Sequence, residues 1–505
     1  MENSLISFKK NEDPSFELFR KTKIDAKKHN LYDALIDSRL DQLSLDERFK
    51  IFNGWHDDMV LKQIAHFQRV GLNGCDIERS IFDPSNGKTT QMLNFASNDY
   101  LNMSQHASVI NAGVMALQQY GAGAGAGCNA SGQTKIKSEL EAEIADTFGN
   151  EKSLVFNSGY STNIAVLNAL LRSNDVAIVD MLAHASIMDG VENRNKLFFK
   201  HNDMHSLESV LSRADRQYTN KIVVVDGVYS MDGDIANIPE IAALCKKYNA
   251  LLMVDEAHAF GVIGKNGLGI LDHFNMPPET IDILVGTLSK AVGCSGGFVT
   301  GKKELINYME FAGKPYLFST GPFIASNAAA LEAIQIIKHD TERRKNLWRN
   351  IDYFKLKVKR AGFNIGNAET AIFPIIFADH NKVLEVTRIM GNNGIQVNGM
   401  PYPIVQRKQT RIRMTVTAGM SLEQLDKGYT ELCNAVEVYN ADNSVVRESN
   451  LSIEYQQNVS KERLEALGKE RQSVLASKDE GKNTEPTTDY TSAHESWKLL
   501  KNKED

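Results

Sequence analysis

Lys290 follows the apolar run ILVGTLS, residues 283 to 289, and leads into a stretch carrying Gly293, Gly296 and Gly297. Lysine is seldom buried without a partner, and glycines let backbone and ligand approach closely. A lysine held there can act as a Schiff-base amine, serving as nucleophile and base beside a carbonyl group. Read alone, the same segment also describes a surface lysine after a strand. The run NALLMVDEAHAFGVIG, residues 249 to 264, changes that balance. Residues 250 to 254 read as a short buried strand, so Asp255 emerges at its carboxyl end, where open α/β sheets place their ligands. A carboxylate there calls for a cationic partner. The protonated ring nitrogen of pyridoxal 5'-phosphate is one, because protonation is what makes that ring an electron sink. His258 is then placed to donate a hydrogen bond to the phenolate oxygen of the same ring. Taken singly, Asp255 also fits a capping or ion-paired carboxylate and His258 a satisfied loop histidine. Jointly with Lys290 they describe one reaction centre.

Such a centre needs elements to carry it. KIVVVDGVYSMDGD, 221 to 234, is a β-branched strand that delivers Ser230 to the same sheet edge, and VAIVDMLAHASIMDG, 176 to 190, does so for His184. LVFNSGYSTNIAVLNALL, 154 to 171, reads as strand, turn and helix, with Asn157, Ser158 and Gly159 in the turn. The free N–H groups and positive dipole end of that helix make a phosphate cradle. Strands alternate with helices such as PEIAALCKKYNA, in which Ile241, Leu244, Cys245 and Tyr248 share a face. That alternation predicts an α/β fold with a mainly parallel sheet and right-handed crossovers. The glycine run GAGAGAGCNASGQTKIKSELE, 121 to 141, contains no GxGxxG and follows a helical pattern (Ile110, Val114, Leu117). It is therefore not a dinucleotide loop, and it suits the floor of a substrate channel.

The motifs SGY, LAHAS, GVYSMDGD, VDEAH and GTLSKA stand in an order and at spacings that closely resemble the α-oxoamine synthases. These are fold-type I pyridoxal phosphate enzymes, and the resemblance covers residues 90 to 435. It implies a large domain with a seven-stranded-type sheet and a smaller α+β domain. It implies Lys290 as the cofactor's Schiff-base lysine, Asp255 on the pyridinium nitrogen, His258 near the phenolate oxygen, His184 stacked on the ring face and Ser230 near the ring substituents. Ser158, Gly159 and Tyr160, with Thr287, would bind phosphate. FASNDYL, 95 to 101, resembles the family's substrate-side loop and places Asn98 near the amino-acid carboxylate. TRIRM, 410 to 414, resembles the strand whose second arginine, here Arg413, clamps that carboxylate, a task suited to a planar guanidinium. PYLFSTGPF, 315 to 323, resembles the segment that reaches the partner's phosphate in a dimer, which nominates Ser319 and Thr320, although the usual Pro-Pro after it is absent. Lys137 stands where the family commonly has histidine, Cys128 where it often has arginine, and Met420 where it has histidine. In the family these positions border the substrate side, so the departures bear on substrate identity.

The implied activity is condensation of an amino acid with an acyl thioester, on coenzyme A or an acyl carrier protein, with loss of carbon dioxide to give an aminoketone. Alternatives are acetyl transfer to glycine without decarboxylation, an aminotransferase on the same fold, and a non-catalytic subunit, against which Lys290, Asp255 and His258 all argue. At 505 residues, 42% of them hydrophobic, the chain can bury a large core in more than one domain. A net charge of −6 gives no reason to expect nucleic acid. Five scattered cysteines without metal-ligand spacing read as reduced thiols, so no metal and a cytoplasmic location are expected. Neither a signal peptide nor a transmembrane segment is evident. The expected organisation is a charged, helical N-terminal extension over 1–90, with Leu40, Leu43, Leu45, Phe49 and Ile51 as its apolar points, then a large cofactor-binding domain over 91–325. A small domain follows over 326–440, with a helix at 325 to 337 and strands near 370 to 378 and 411 to 417. A polar, partly disordered tail over 441–505 has one helical stretch at 459 to 475. The family resemblance also implies a homodimer with active sites at its interface.

Overall fold

The computed structural model describes residues 31–62, 69–84 and 87–448. The described residues up to Tyr439 belong to one compact unit, and those from Asn440 on to a second. The stretch at 459 to 475 and most of the tail lie outside the described residues.

Seven strands make the central sheet: β1 (Lys152–Phe156), β2 (Asp175–Asp180), β3 (Lys196–Phe199), β4 (Asn220–Asp226), β5 (Leu251–Asp255), β6 (Ile283–Thr287) and β7 (Gly297–Gly301). Their spatial order is β1-β7-β6-β5-β4-β2-β3. All pairs are parallel except those of β7, which runs antiparallel to β1 and β6. The strands read as near-continuous apolar runs because helices cover both faces. Alternate residues go to opposite layers. Val176, Ile178, Val223 and Val225 join one buried cluster, and Ala177, Val179, Ile222 and Val224 join the other.

Parallel strands bring their carboxyl ends to one edge, and register decides which residues meet there. Asp226 pairs with Asp255 across β4 and β5, and Asp255 with Val285 across β5 and β6. Helix α1 (Gly159–Leu170) starts directly after β1, capped by Ser158, whose side chain accepts from the N–H of Ser161. At Gly297 on β7 an added Cβ would come within 2.4 Å of the Gly159 nitrogen, so glycine there lets the sheet press on the start of α1.

Beyond the large sheet, Ile372–Ile376, Arg411–Thr415 and Asn398–Met400 form an antiparallel three-stranded sheet, in that order. The helices Ile324–His339 and Thr341–Arg360 precede it. The segment before residue 90 is helical at Leu31–Leu35 and Leu45–Leu61, but it then forms strands at Glu78–Asp83 and Lys88–Asn94. These pair antiparallel, and Lys88–Asn94 also pairs parallel with Ile395–Gln396. The Asn86–Gly87 dipeptide is a turn signal that a helical reading passes over. Of the expected apolar points, Leu40 and Leu43 are buried, whereas Leu45 and Phe49 are exposed. The packed face of the arm is instead Trp55 and Met59, which meet Leu384 of the helix His380–Asn392. No helix among the described residues is long and apolar enough to cross a membrane.

Candidate active site

The carboxyl ends of β4, β5 and β6, the His184 loop after β2 and the start of α1 converge on a cavity of about 250 Å³. Ser158, Gly159, Tyr160, His184, Asp255, His258, Thr287 and Lys290 all line it, so most of the residues singled out in the sequence meet in one place. Ser230 does not. It lines a neighbouring cavity that shares His184, and its backbone carbonyl accepts from Arg413 Nε at 2.7 Å. Arg413 Nη2 donates to Asn98 Oδ1 at 3.0 Å, which joins the two expected carboxylate-binding residues. Ser319 and Thr320 stand beside the start of α1, where Asn157 Nδ2 donates to Ser319 Oγ at 2.7 Å and to the Thr320 carbonyl at 3.0 Å.

Four residues that the sequence reading did not name complete the arrangement. Asn163, on the first turns of α1, donates from one amide nitrogen to Asp255 Oδ2 at 2.7 Å and to Ser186 Oγ at 3.0 Å. Ser186 Oγ lies 2.7 Å from His184 Nδ1, which also accepts from the Ser186 N–H. Nδ1 is therefore the acceptor, and a neutral His184 carries its proton on Nε2. The other oxygen of Asp255 accepts from the Ala257 N–H at 2.9 Å. Tyr100 is fully buried and its hydroxyl lies 2.6 Å from His258 Nδ1. Asp226 lines the cavity beside Asp255. Tyr100 stands in the FASNDYL motif and Asp226 ends its strand as Asp255 ends the next, so both carried a readable signal. Asn163 and Ser186 carried none beyond their helices.

Burial governs the charges here. It lowers the Lys290 amine to about 8, with Asp255 and Asp226 opposing the shift and Arg413 adding to it. It holds His258 well below the usual imidazole range, helped by Lys290, Arg413 and His184. His184 is lowered by burial and Lys290 against the pull of Asp255. Burial, and after it the Asp255 charge, raises Asp226 well above the ordinary carboxylate range. Tyr100 is pushed up to about 12 by burial, with Arg413 opposing.

Lys137 does not border this cavity. It is 1% exposed, ion-paired with Glu141 one helical turn on, and its Nζ lies 3.1 Å from the Tyr316 hydroxyl. The expectation that it faces a substrate channel is corrected by that pairing, since a buried ammonium needs a carboxylate and the i+4 glutamate supplies it.

An anion-accepting helix start, a buried carboxylate held by two donors and an amine with a lowered pKa share one cavity. That set matches the phosphate, the ring nitrogen and the carbonyl carbon of pyridoxal 5'-phosphate.

Residues 90–432 match the model of the family "Aminotransferase class I and II". The 8-amino-7-oxononanoate synthase of Thermoanaerobacter pseudethanolicus is 43% identical over 74% of this chain and 95% of its own length. Among solved structures, serine palmitoyltransferase of Sphingomonas wittichii is 26% identical, with a TM-score of 0.74 over 79% of this chain and 100% of its own. The same enzyme from S. paucimobilis, solved with a bound PLP–myriocin adduct, gives 26% identity and a TM-score of 0.74 over 79% of this chain and 100% of that one. The chain belongs to the aminotransferase class I and II family and, within it, to the α-oxoamine synthases, pyridoxal 5'-phosphate-dependent acyltransferases of fold type I.

Proposed function

We propose that the protein condenses an amino acid with an acyl thioester, with loss of carbon dioxide, to give an aminoketone. The observation that carries this reading is the placement of Lys290 and Asp255 in one cavity, with Arg413, bonded to Asn98, held by the Ser230 carbonyl of the neighbouring cavity that shares His184. The names of the relatives support the same class of reaction.

Bound pyridoxal 5'-phosphate supplies an electron sink for the pair left when a bond at Cα breaks. Asp255 would face the ring nitrogen, and Asn163 and the Ala257 N–H keep its carboxyl group in place. The start of α1, with Ser158, Gly159, Tyr160 and Thr287, receives the phosphate. His258, kept neutral and positioned by Tyr100, is assigned to the phenolate oxygen. Arg413 and Asn98 hold the amino-acid carboxylate. Lys290, whose amine burial brings down to about 8, takes the Cα proton and later returns it. His184 presents Nε2–H, its remaining donor, to the substrate side. Ser319 and Thr320 are assigned as further cofactor contacts across a subunit boundary.

A homodimer fits the surface. Ile110, Val114 and Met115 are exposed along one helix, Phe311 is 70% exposed, and Phe318, directly before Ser319 and Thr320, is 79% exposed. Large apolar side chains clustered beside a site are what a symmetric partner covers. We divide the chain into an extension over 1–90, a large domain over 91–325, a small domain over 326–440 and a tail over 441–505. Five free cysteines support a reducing, cytoplasmic location.

A panel of amino acids crossed with short and long acyl thioesters, read by product mass, tests the proposal. The expected product is an aminoketone lacking the amino-acid carboxyl group. A product that retains the carboxylate assigns simple acyl transfer instead, and a 2-oxo acid formed without thioester assigns transamination.

A further inference from the structure

The cavity around Lys290 shares His184 with a second, of about 830 Å³, whose wall includes Ser230, Arg411 and Ile404. Ile404 in turn borders a third, of about 380 Å³. The third cavity lies between the N-terminal arm and the small sheet. Its wall is mainly apolar, built by Leu31, Trp55 and Met59 of the arm, Leu384 and Met400. Arg69, His380, Thr387, Gln396 and Asn398 supply its polar part, and the Arg69 guanidinium is engaged by Asp83 at 3.5 Å, so that charge is met within the protein. The arm is fastened to the 400s loop by the Tyr32 ring, 5.4 Å from that of Tyr402, while Arg407 stacks on the Tyr402 ring at 4.3 Å.

Leu31, Trp55 and Met59 all precede residue 90, where the family match begins. The Thermoanaerobacter relative spends 95% of its own length on 74% of this chain. One wall of the third cavity is thus built from sequence outside the part of the chain that the family model describes. A concave, mainly apolar site suits an aliphatic ligand, and three cavities, each sharing a lining residue with the next, suit a ligand whose reactive end is at Lys290.

We propose that the third cavity receives the aliphatic tail of the acyl thioester, so that the N-terminal arm sets the acyl chain length. This rests on the condensation reading above and adds a specificity site to it. Trp55, Met59 and Leu384 are its length-determining residues, and Ile404 is its gate.

The test uses holoenzyme, one accepted amino acid and coenzyme A thioesters of increasing, unbranched chain length. Values of kcat/KM are compared for the wild type, Ile404→Trp, Leu384→Phe and Trp55→Ala. Ile404 is 50% exposed, so a larger side chain there narrows the passage without entering the packed core. Because one methylene in an apolar pocket changes rate about tenfold or more, Ile404→Trp should lose at least about tenfold on long chains and stay within about twofold on acetyl-coenzyme A. Leu384→Phe should move the preferred length down, and Trp55→Ala should move it up. Equal losses on short and long chains, or an unchanged length profile in the variants, overturn the inference and leave the reaction intact. A wild type that consumes no acyl thioester overturns the reaction reading and the inference with it.

Discussion

Asn163 donates to Asp255 at 2.7 Å and to Ser186 at 3.0 Å, and so ties the carboxylate assigned to the cofactor ring to the serine that orients His184. The first turns of α1 thus serve two purposes, presenting N–H groups to a phosphate at the helix start and holding Asp255 from Asn163. Asn163→Ala is expected to remove a charge-assisted hydrogen bond of about 1.5–3 kcal/mol, which should weaken cofactor binding by roughly one to two orders of magnitude. Spectral titration of the apo-protein with pyridoxal 5'-phosphate measures this. Unchanged affinity would show that Asp255 is held by the Ala257 N–H alone.

Asp255→Asn separates placement from charge. The amide keeps the size of the side chain but cannot stabilise a protonated ring nitrogen, so the variant should bind cofactor and lose most of its turnover. Removing the negative charge should also lower the Lys290 amine further, since Asp255, together with Asp226, opposes the effect of burial. Near-normal activity would take Asp255 out of the site.

Much of this was legible because strand ends in a parallel sheet are marked by the switch from apolar runs to polar turns. Lys290, Asp255, His184 and Ser158 each follow such a run, and each lines the cavity. Ser230 follows one too, yet the loop after β4 carries it past the cavity to its neighbour. Contacts between helices and loops far apart in sequence leave no local trace: the Asn163–Ser186–His184 chain depends on how α1 and the short helix Ala185–Gly190 meet. Lys137 misled for the opposite reason, because an exposed i,i+4 pair and a buried one have the same sequence. The strands at 78 to 94 were hidden among charged residues, since that edge of the fold is half exposed and its alternation is weak.

Lys290 gives a pH dependence with a definite sign. Burial brings its amine to about 8, below the ordinary lysine value. Its neutral, nucleophilic form therefore accumulates as pH rises through that value, well before a solvent-exposed lysine would respond. The rate at which apo-protein forms a borohydride-reducible adduct with pyridoxal 5'-phosphate should climb with a midpoint near 8, and Lys290→Ala should form no such adduct. Wild-type levels of adduct in Lys290→Ala would reassign the lysine.

Arg413 is partly committed before any substrate arrives, to the Ser230 carbonyl and to Asn98. Those bonds fix the plane of the guanidinium, and a fixed fork binds a carboxylate better than a mobile one. Arg413→Ala should weaken amino-acid binding by about one to two orders of magnitude, the value of a lost charge-assisted hydrogen bond, while cofactor affinity stays close to that of the wild type. Arg413→Lys should restore little of it, because an ammonium cannot satisfy Ser230, Asn98 and a carboxylate in one plane. Titrating amino acids into each holoenzyme and following the cofactor spectrum checks both statements. Equal dissociation constants in the wild type and the alanine variant would make Arg413 a structural residue.

His201 sits between two aspartates, with Nδ1 3.0 Å from Asp180 and Nε2 2.8 Å from Asp234, and its ring meets that of Tyr229 edge-on at 4.4 Å. Burial works against the charge on this imidazole, but the two carboxylates outweigh it and push its pKa up to about 10. An unfolded histidine titrates near 6.5, so the charged form is favoured by folding. The stabilisation is fully present below about pH 6.5, declines as pH rises toward 10, and is lost above the folded value. His201→Ala leaves two buried carboxylates without their cation, and breaking a buried pair in this way costs about 3–5 kcal/mol. The variant should be destabilised by that order in mildly acidic solution, and the gap to the wild type should close as the pH approaches 10. Denaturant unfolding of both proteins across this range measures it. A gap independent of pH would mean that His201 contributes through packing against Tyr229 and not through its charge.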